Sequence, residues 1–459
     1  MNDQRPTDRH STARVLIIVA LVTVVLSAGV YLLESHIESK RVQIEIQKRL
    51  DAIRDAGQPV TAQDLAKLYP DPPPEQDAVL LLKPALAALV VPEDSTNLPF
   101  FGGALPTGTA LFKKTTRDEI QMWMDQNQKA FDSVPSEKLK GVWIGSGFSG
   151  GFTNFPHTPK SKINSLVRLL CLNVVSQTES EHSSAAINSL QRAWAVGAIW
   201  KNDSPVDLLL RTIEENMVCE SLEYMINRSQ LSKGDLTIIE QSFPHNSTNS
   251  LIEVFMSERC FQIWELERVR QNPRELAMSG TTWKDQAVSW FEFASGKMYR
   301  DSDYELILDR NERRLEAMRL PVKEQINELQ RLESEAKKEN LNSTMALKLI
   351  DGVRNYSELV SRDAGVIAHL RTAQVALALE RWRLTHNGNV PDSLAGLAPN
   401  FLPAIPIDPF DDQPLRYKKL ARGYVVYSIG PNFTDDGGKE KPADAKDTDH
   451  YDITFTVER

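Results

Sequence analysis

Val15–Leu33 reads VLIIVALVTVVLSAGVYLL, nineteen residues without a charge. As a helix at ~1.5 Å per residue the run measures about 28 Å, close to the hydrocarbon thickness of a bilayer. Core helices of soluble domains rarely run this far without a polar face, because one side must meet water. A cleavable signal peptide carries a shorter apolar run, about 7–15 residues, followed by a small-x-small junction. Here Tyr31, Leu32, Leu33 and Glu34 close the run instead. The stretch therefore predicts an uncleaved transmembrane helix over 15–33. Arg5, Arg9 and Arg14 precede it, whereas Glu34, His36 and Glu38 follow it ahead of Lys40 and Arg41. By the positive-inside rule, 1–14 is a cytoplasmic tail and residues 34–459 lie outside the cytoplasm.

Composition narrows what that outer part can be. Of 459 residues, 41% are apolar and 25% charged, ordinary proportions for packed domains. A net charge of −9 excludes a nucleic-acid-binding surface as the main business of the chain. Cys171, Cys219 and Cys260 stand far apart in apolar helical contexts with no CxxC, so they read as core residues. His157, His369 and His386 make no HxxxH or HExxH spacing, and no catalytic zinc is expected.

Outward from the span, Val42, Ile46, Leu50 and Ile53 recur at four, four and three, one apolar stripe on a charged helix. Residues 34–56 are thus a stalk helix, serving as a short coiled coil or packing on the next domain; Gly57 and Pro59 end it. Residues 60–355 predict a body of helical hairpins. Start signals recur at Thr61-x-x-Asp64, Thr116-x-x-Glu119, Ser204-Pro205, Ser232-x-x-Asp235 and Ser250-x-x-Glu253. Between them apolar residues return at three and four, and residues 302–341 form a charged helical stretch broken at Pro321. No fixed repeat period emerges. Glu258-Arg259 and Glu380-Arg381 read as ordinary surface or half-buried helix pairs.

Two irregular stretches interrupt the helices, 95–112 and 141–160. The second contains Gly145-Ser-Gly147-Phe-Ser-Gly150, a literal GxGxxG, and Gly147-Phe-Ser149-Gly-Gly151, a literal GxSxG. Both motifs need a helix to start at the glycines, to face phosphates or to raise a nucleophile. Thr153, Asn154, Pro156 and Pro159 forbid that helix until about residue 161, so a glycine-rich loop after a short strand at 142–144 is the expectation. An envelope hydrolase using Gly145–Gly151, with Ser149 or His157, requires a base within hydrogen-bond reach of Ser149.

The last hundred residues change character. Val366, Leu370, Ala373, Leu377, the Arg381 stem and Leu384 line one helical face, and Asn387-Gly388 is a stop signal. Pro391-Asp-Ser-Leu-Ala reads as a capped turn, and PLRYKKL, GYVVYSIG and YDITFTV read as strands. The expectation is a helix followed by a small antiparallel sheet over 356–459, with Trp382 as its core aromatic. The fold class is thus mainly α, with an α+β unit at the carboxyl end.

LRTAQVALALERWRLTHNGNVPDSLAGLAP, IDPFDDQPLRY, YVVYSIGPNFTDDGG and YDITF, in that order, resemble the globular domain of type II secretion major pseudopilins. The likeness covers about a fifth of the chain. Anchor, helical body and pseudopilin-like end together also resemble membrane-anchored helical proteins of planctomycete-type bacteria, which implies nothing about activity. The family's processed leader, GFTLxE-like with a glutamate inside the apolar helix, is missing from the span. The resemblance implies a bacterial inner-membrane protein with a periplasmic bulk. It also implies a calcium site between the last strands, carried by position onto Ser428, Asn432, Asp435, Asp436, Asp449 and Asp452. Seven acids between 432 and 452 suit a hard cation, while Asn432 replaces an acid and Lys439, Lys441 and Lys446 dilute the field. A pilin polymerises through an apolar helix joined directly to its head; here the long body intervenes. The function expected is a membrane-tethered extracytoplasmic scaffold or adaptor beside a secretion or pilus-like system, with envelope proteins as partners. A purely structural oligomer is the further alternative.

Overall fold

A computed structural model describes residues 9–92, 98–106, 110–139, 142–145, 147–152, 159–201, 204–243, 251–272, 300–340, 344–351, 355–440 and 451–458. One helix, α1 (Arg9–Asp55), carries the apolar run and continues without a break through the stalk. From Ile18 it is long and apolar enough to cross a membrane, with a mean hydropathy of 2.0 and none of that window buried. Apolar side chains left this open, Leu26 at 64% for example, are costly in water and at ease in lipid.

Burial on α1 begins at Ser39. The body starts with α2 (Ala62–Leu68), α3 (Ala78–Ala88) and α4 (Lys114–Asp132). An antiparallel core follows: α5 (Lys160–Glu179), α6 (Ser183–Gly197) and α7 (Pro205–Arg228). Next come α8 (Lys233–Ser242) and α9 (Leu251–Gln271). The charged stretch forms α10 (Asp301–Ala317) and α11 (Val322–Asn340), parted at Pro321, then the short α12 (Met345–Ile350). Several caps fall where the sequence puts them. Thr61 accepts the Asp64 N–H at 3.1 Å, Ser204 opens α7 ahead of Pro205, and Ser232 with Asp235 forms a reciprocal capping box on α8. Thr116 does not cap: α4 begins at Lys114, two residues earlier. Ser250 lies outside the described residues.

The carboxyl end is a long helix, α13 (Tyr356–Thr385), and a three-stranded antiparallel sheet in the order β1 (Arg416–Leu420), β2 (Gly423–Ser428), β3 (Ile453–Glu458). α13 stops at Asn387-Gly388, where Gly388 takes φ +84° and its N–H reaches Arg383 O at 2.9 Å. In register, Val426 opposes both Tyr417 and Phe455, and the inward face of β2 rests on α13. The apolar core runs without a gap from Leu166 and Leu170 of α5 through Cys219, Leu222 and Met225 of α7 to Leu370 and Leu377 of α13. It continues into Tyr424, Val426, Phe455 and Val457 of the sheet. Tyr424, fully buried, fills the place expected for Trp382. Its hydroxyl donates to Ala376 O at 3.2 Å, while Trp382 sits half-buried, stacked on His386 at 3.8 Å.

Both sheet edges are managed. Asn227 of α7 donates to Thr456 O at 2.8 Å and accepts the Glu458 N–H at 2.8 Å, while Glu223 accepts the Thr456 N–H at 3.2 Å. These side chains pair the β3 edge as another strand would. The free β1 edge carries exposed Lys418 and Lys419, charges that discourage strand addition.

Candidate functional site

The loop joining β2 to β3 is built from short polar turns. Gly437 and Gly438, both near φ +76°, curl the backbone so that three N–H groups face one carboxylate. Asp452 accepts from Gly438 N at 2.7 Å, Asp436 N at 3.2 Å and Lys439 N at 3.2 Å, and its own N–H donates to Lys439 O at 2.9 Å. Asn432 donates to Asp436 Oδ2 at 2.8 Å and accepts the Thr434 N–H at 3.0 Å. Ser428 spends its hydroxyl proton on Asp408 at 2.7 Å. Asp435 accepts from Arg416 Nε at 3.3 Å and from Gly437 N at 2.9 Å. Asp449 lies outside the described residues. Of the six positions carried over for calcium, the five described are gathered in one loop, yet their oxygens face N–H donors and a guanidinium. Among the described residues no three acids, histidines or cysteines are grouped to hold a metal ion. As arranged, the five described positions spend their oxygens on partners within the protein, short of the six-to-eight oxygen shell that calcium takes.

Sequence reading did not single out Asp408, the residue on which the loop turns. Its side chain is wholly buried, accepting Phe410 N at 3.0 Å, Ile429 N at 2.9 Å and the Ser428 hydroxyl, with Arg416 Nη1 at 3.0 Å. The signal available was its place in IDPF, where an Asx turn is common before a strand.

The Gly145–Gly151 loop holds a different arrangement. Asp71 accepts the Gly147 N–H at 2.9 Å and the Ser149 hydroxyl. Phe148 and Phe152 insert among Leu65, Cys260, Phe261 and Trp264, with Phe152 edge-on to Phe261 at 5.5 Å. α5 starts only at Lys160, so no helix dipole points at the glycines, and 142–144 makes a single bridge from Trp143 to Asp77 rather than a strand. His157 lies outside the described residues. The loop's chemistry is that of a plug: two aromatics fasten α2 to α9, and Asp71 ties down the backbone between them.

Two grooves flank α10. One, of about 330 Å³, is lined by Asp309, Glu312, Glu316, Glu335 and Glu339 with Arg310 and Arg313. The other, of about 280 Å³, lies against α1 and includes Arg49, Arg259, Glu312 and Arg319. Most of these charges are already paired. Arg49 bridges Asp309 at 2.6 Å and Glu312 at 3.2 Å, and Arg313 meets Glu335 at 2.7 Å. Deeper in, Arg310 and Arg314 clasp the buried Asp351, and Arg314 lies 4.4 Å over the Tyr356 ring. Glu258 and Arg259 are buried rather than superficial. Glu258 accepts from Gln262 at 3.2 Å, and Arg259 donates to Pro59 O and Gln58 at 2.8 Å.

A second buried charge layer joins α7 to α13. Arg211 meets Asp363 at 2.5 Å, Trp200 donates to Glu214 at 2.7 Å, and His369 Nδ1 lies 2.9 Å from Asn216. Burial pushes Glu214 up to about 8 and Glu215 up to about 7, and holds His369 down to about 4. Neither groove beside α10 is lined by these groups. No family model, curated protein or solved structure matches this chain.

Proposed function

We propose that this protein is a single-pass scaffold of the bacterial inner membrane, its amino terminus cytoplasmic and its body periplasmic, serving as an adaptor beside a secretion-type apparatus. The observation that carries the reading is the docking of α1. Ile46 and Leu50 pack among Leu266, Ile307, Leu308 and Ile350, Ser39 donates to Asp301 at 2.5 Å, and Arg49 clamps α10. Only five residues lie between Leu33 and Ser39, a rise of about 9 Å along the helix, so the body is carried directly against the lipid surface. Anchor and body then move as one piece, as a platform requires.

The charged grooves beside α10 suit recognition of a polar partner segment, and this favours a binding role. The Asp71 carboxylate does stand within hydrogen-bond reach of Ser149, the one element the hydrolase alternative requires, while the aromatics flanking Ser149 are committed to packing. A photo-crosslinking side chain placed at Glu312 or Glu335 of the full-length chain, in its native envelope, tests this. Adducts of discrete mass are expected there and not from the α5–α6 turn at Glu181. Equal labelling at all three positions, or none, would remove the adaptor reading.

A further inference from the structure

Three carboxylates from two separate segments converge on one guanidinium at the base of the β2–β3 loop. Arg416 of β1 places Nη1 3.0 Å from Asp408, Nη2 2.5 Å from Asp411 and Nε 3.3 Å from Asp435. Asp408 and Asp411 lie in the turn before β1, whereas Asp435 lies beyond β2. The Arg416 side chain is about four-fifths buried and Asp408 entirely so. The guanidinium thus joins the strand that carries it to the loop on the far side of the neighbouring strand. Its planar fork can meet separate oxygens at once, which a lysine ammonium cannot reproduce.

We propose that Arg416 is the built-in cation of this loop. It supplies the positive charge that a divalent ion would bring, and so frees the fold of the sheet from calcium. Two independent features point the same way. The Asp452 carboxylate accepts three backbone N–H groups, and Ser428 donates its hydroxyl to Asp408, so both are already engaged within the protein. Removing the Arg416 guanidinium takes one positive charge from among three carboxylates and leaves Asp408 buried with only the more distant Arg371 to offset it, an arrangement that favours recruiting a cation or opening.

The test uses the full-length chain in detergent and reads both the melting temperature and hydrogen exchange of peptides covering 428–440, in chelator and in millimolar calcium. Wild type should give the same values in both. Arg416→Met should melt several degrees lower in chelator, exchange faster across 428–440, and recover part of both losses when calcium is added. Arg416→Lys keeps the charge and should fall between them without a calcium response. A calcium-dependent rise in the wild type overturns the proposal, as does an Arg416→Met protein that matches wild type in chelator or gains nothing from calcium.

Discussion

Glu214 shows how far a single carboxyl can be taken from its ordinary chemistry. It is fully buried against Trp200, and Gly197 on α6 packs directly on its side chain. An unfolded glutamate releases its proton near 4.5, whereas the folded one holds it to about 8. Between those values the native state carries a proton that the unfolded chain has lost. The stabilisation is complete below 4.5 and is lost as pH rises from there to about 8, by about 1.4 kcal/mol per pH unit at most. Glu215 acts in the same sense up to about 7. His369 acts oppositely: held neutral down to about 4, it adds stability as pH rises from 4 to 6.5. Above pH 7 Glu214 stands alone among these three. Glu214→Gln, neutral and of the same size, should therefore flatten the decline in melting temperature between pH 7 and 8. An unaltered decline would show that the carboxyl is ionised in the native state.

At the scale of elements, the stalk's apolar stripe was readable but its partner was not. Val42, Ile46, Leu50 and Ile53 announce a face that must be covered, and the spacing leaves open a second copy or a neighbouring domain. The choice belongs to α10, far along the chain, through Ser39–Asp301 and Arg49–Asp309. Leu50→Ala, at 7% exposure, should cost about 2–4 kcal/mol of stability. The pair Ser39→Cys and Asp301→Cys should form an intramolecular disulfide under mild oxidation, visible as a mobility shift reversed by reductant. Covalent dimers of the Ser39→Cys single variant, formed as readily as that internal bridge, would instead show the stalk free. Helix α10 carries a second lesson. Its sequence shows only a charged helical stretch, yet Arg310 and Arg314 face inward because Asp351, just past α12, and the Tyr356 ring of α13 wait there. Charge on a helix says nothing of where its partner lies. Capping is different: Thr61, Ser204 and Ser232 bond within their own first turn, and so were legible from spacing alone.

For the whole molecule, the body and carboxyl-terminal unit share one core, and all three thiols lie in it or beside it. Burial pushes Cys171 and Cys260 up to about 12, so neither offers a thiolate at neutral pH. A small thiol reagent should label none of the three in the folded protein and all three after denaturation, as mass spectrometry would count. Labelling of the native protein would mean that the core opens. The sequence by itself determined a long apolar helix near the amino terminus, a mainly helical body with several of its caps, and a helix-plus-sheet end whose strands fall where alternation and turns put them. Each follows from contacts between residues a few positions apart. The tertiary structure alone decided that the stalk lies on α10, that α7 pairs the β3 edge, that the glycine loop is an aromatic plug, and that Arg416 gathers Asp408, Asp411 and Asp435. Those depend on groups brought together from distant parts of the chain, and periodicity carries no record of which distant face, carboxylate or strand edge a residue will meet.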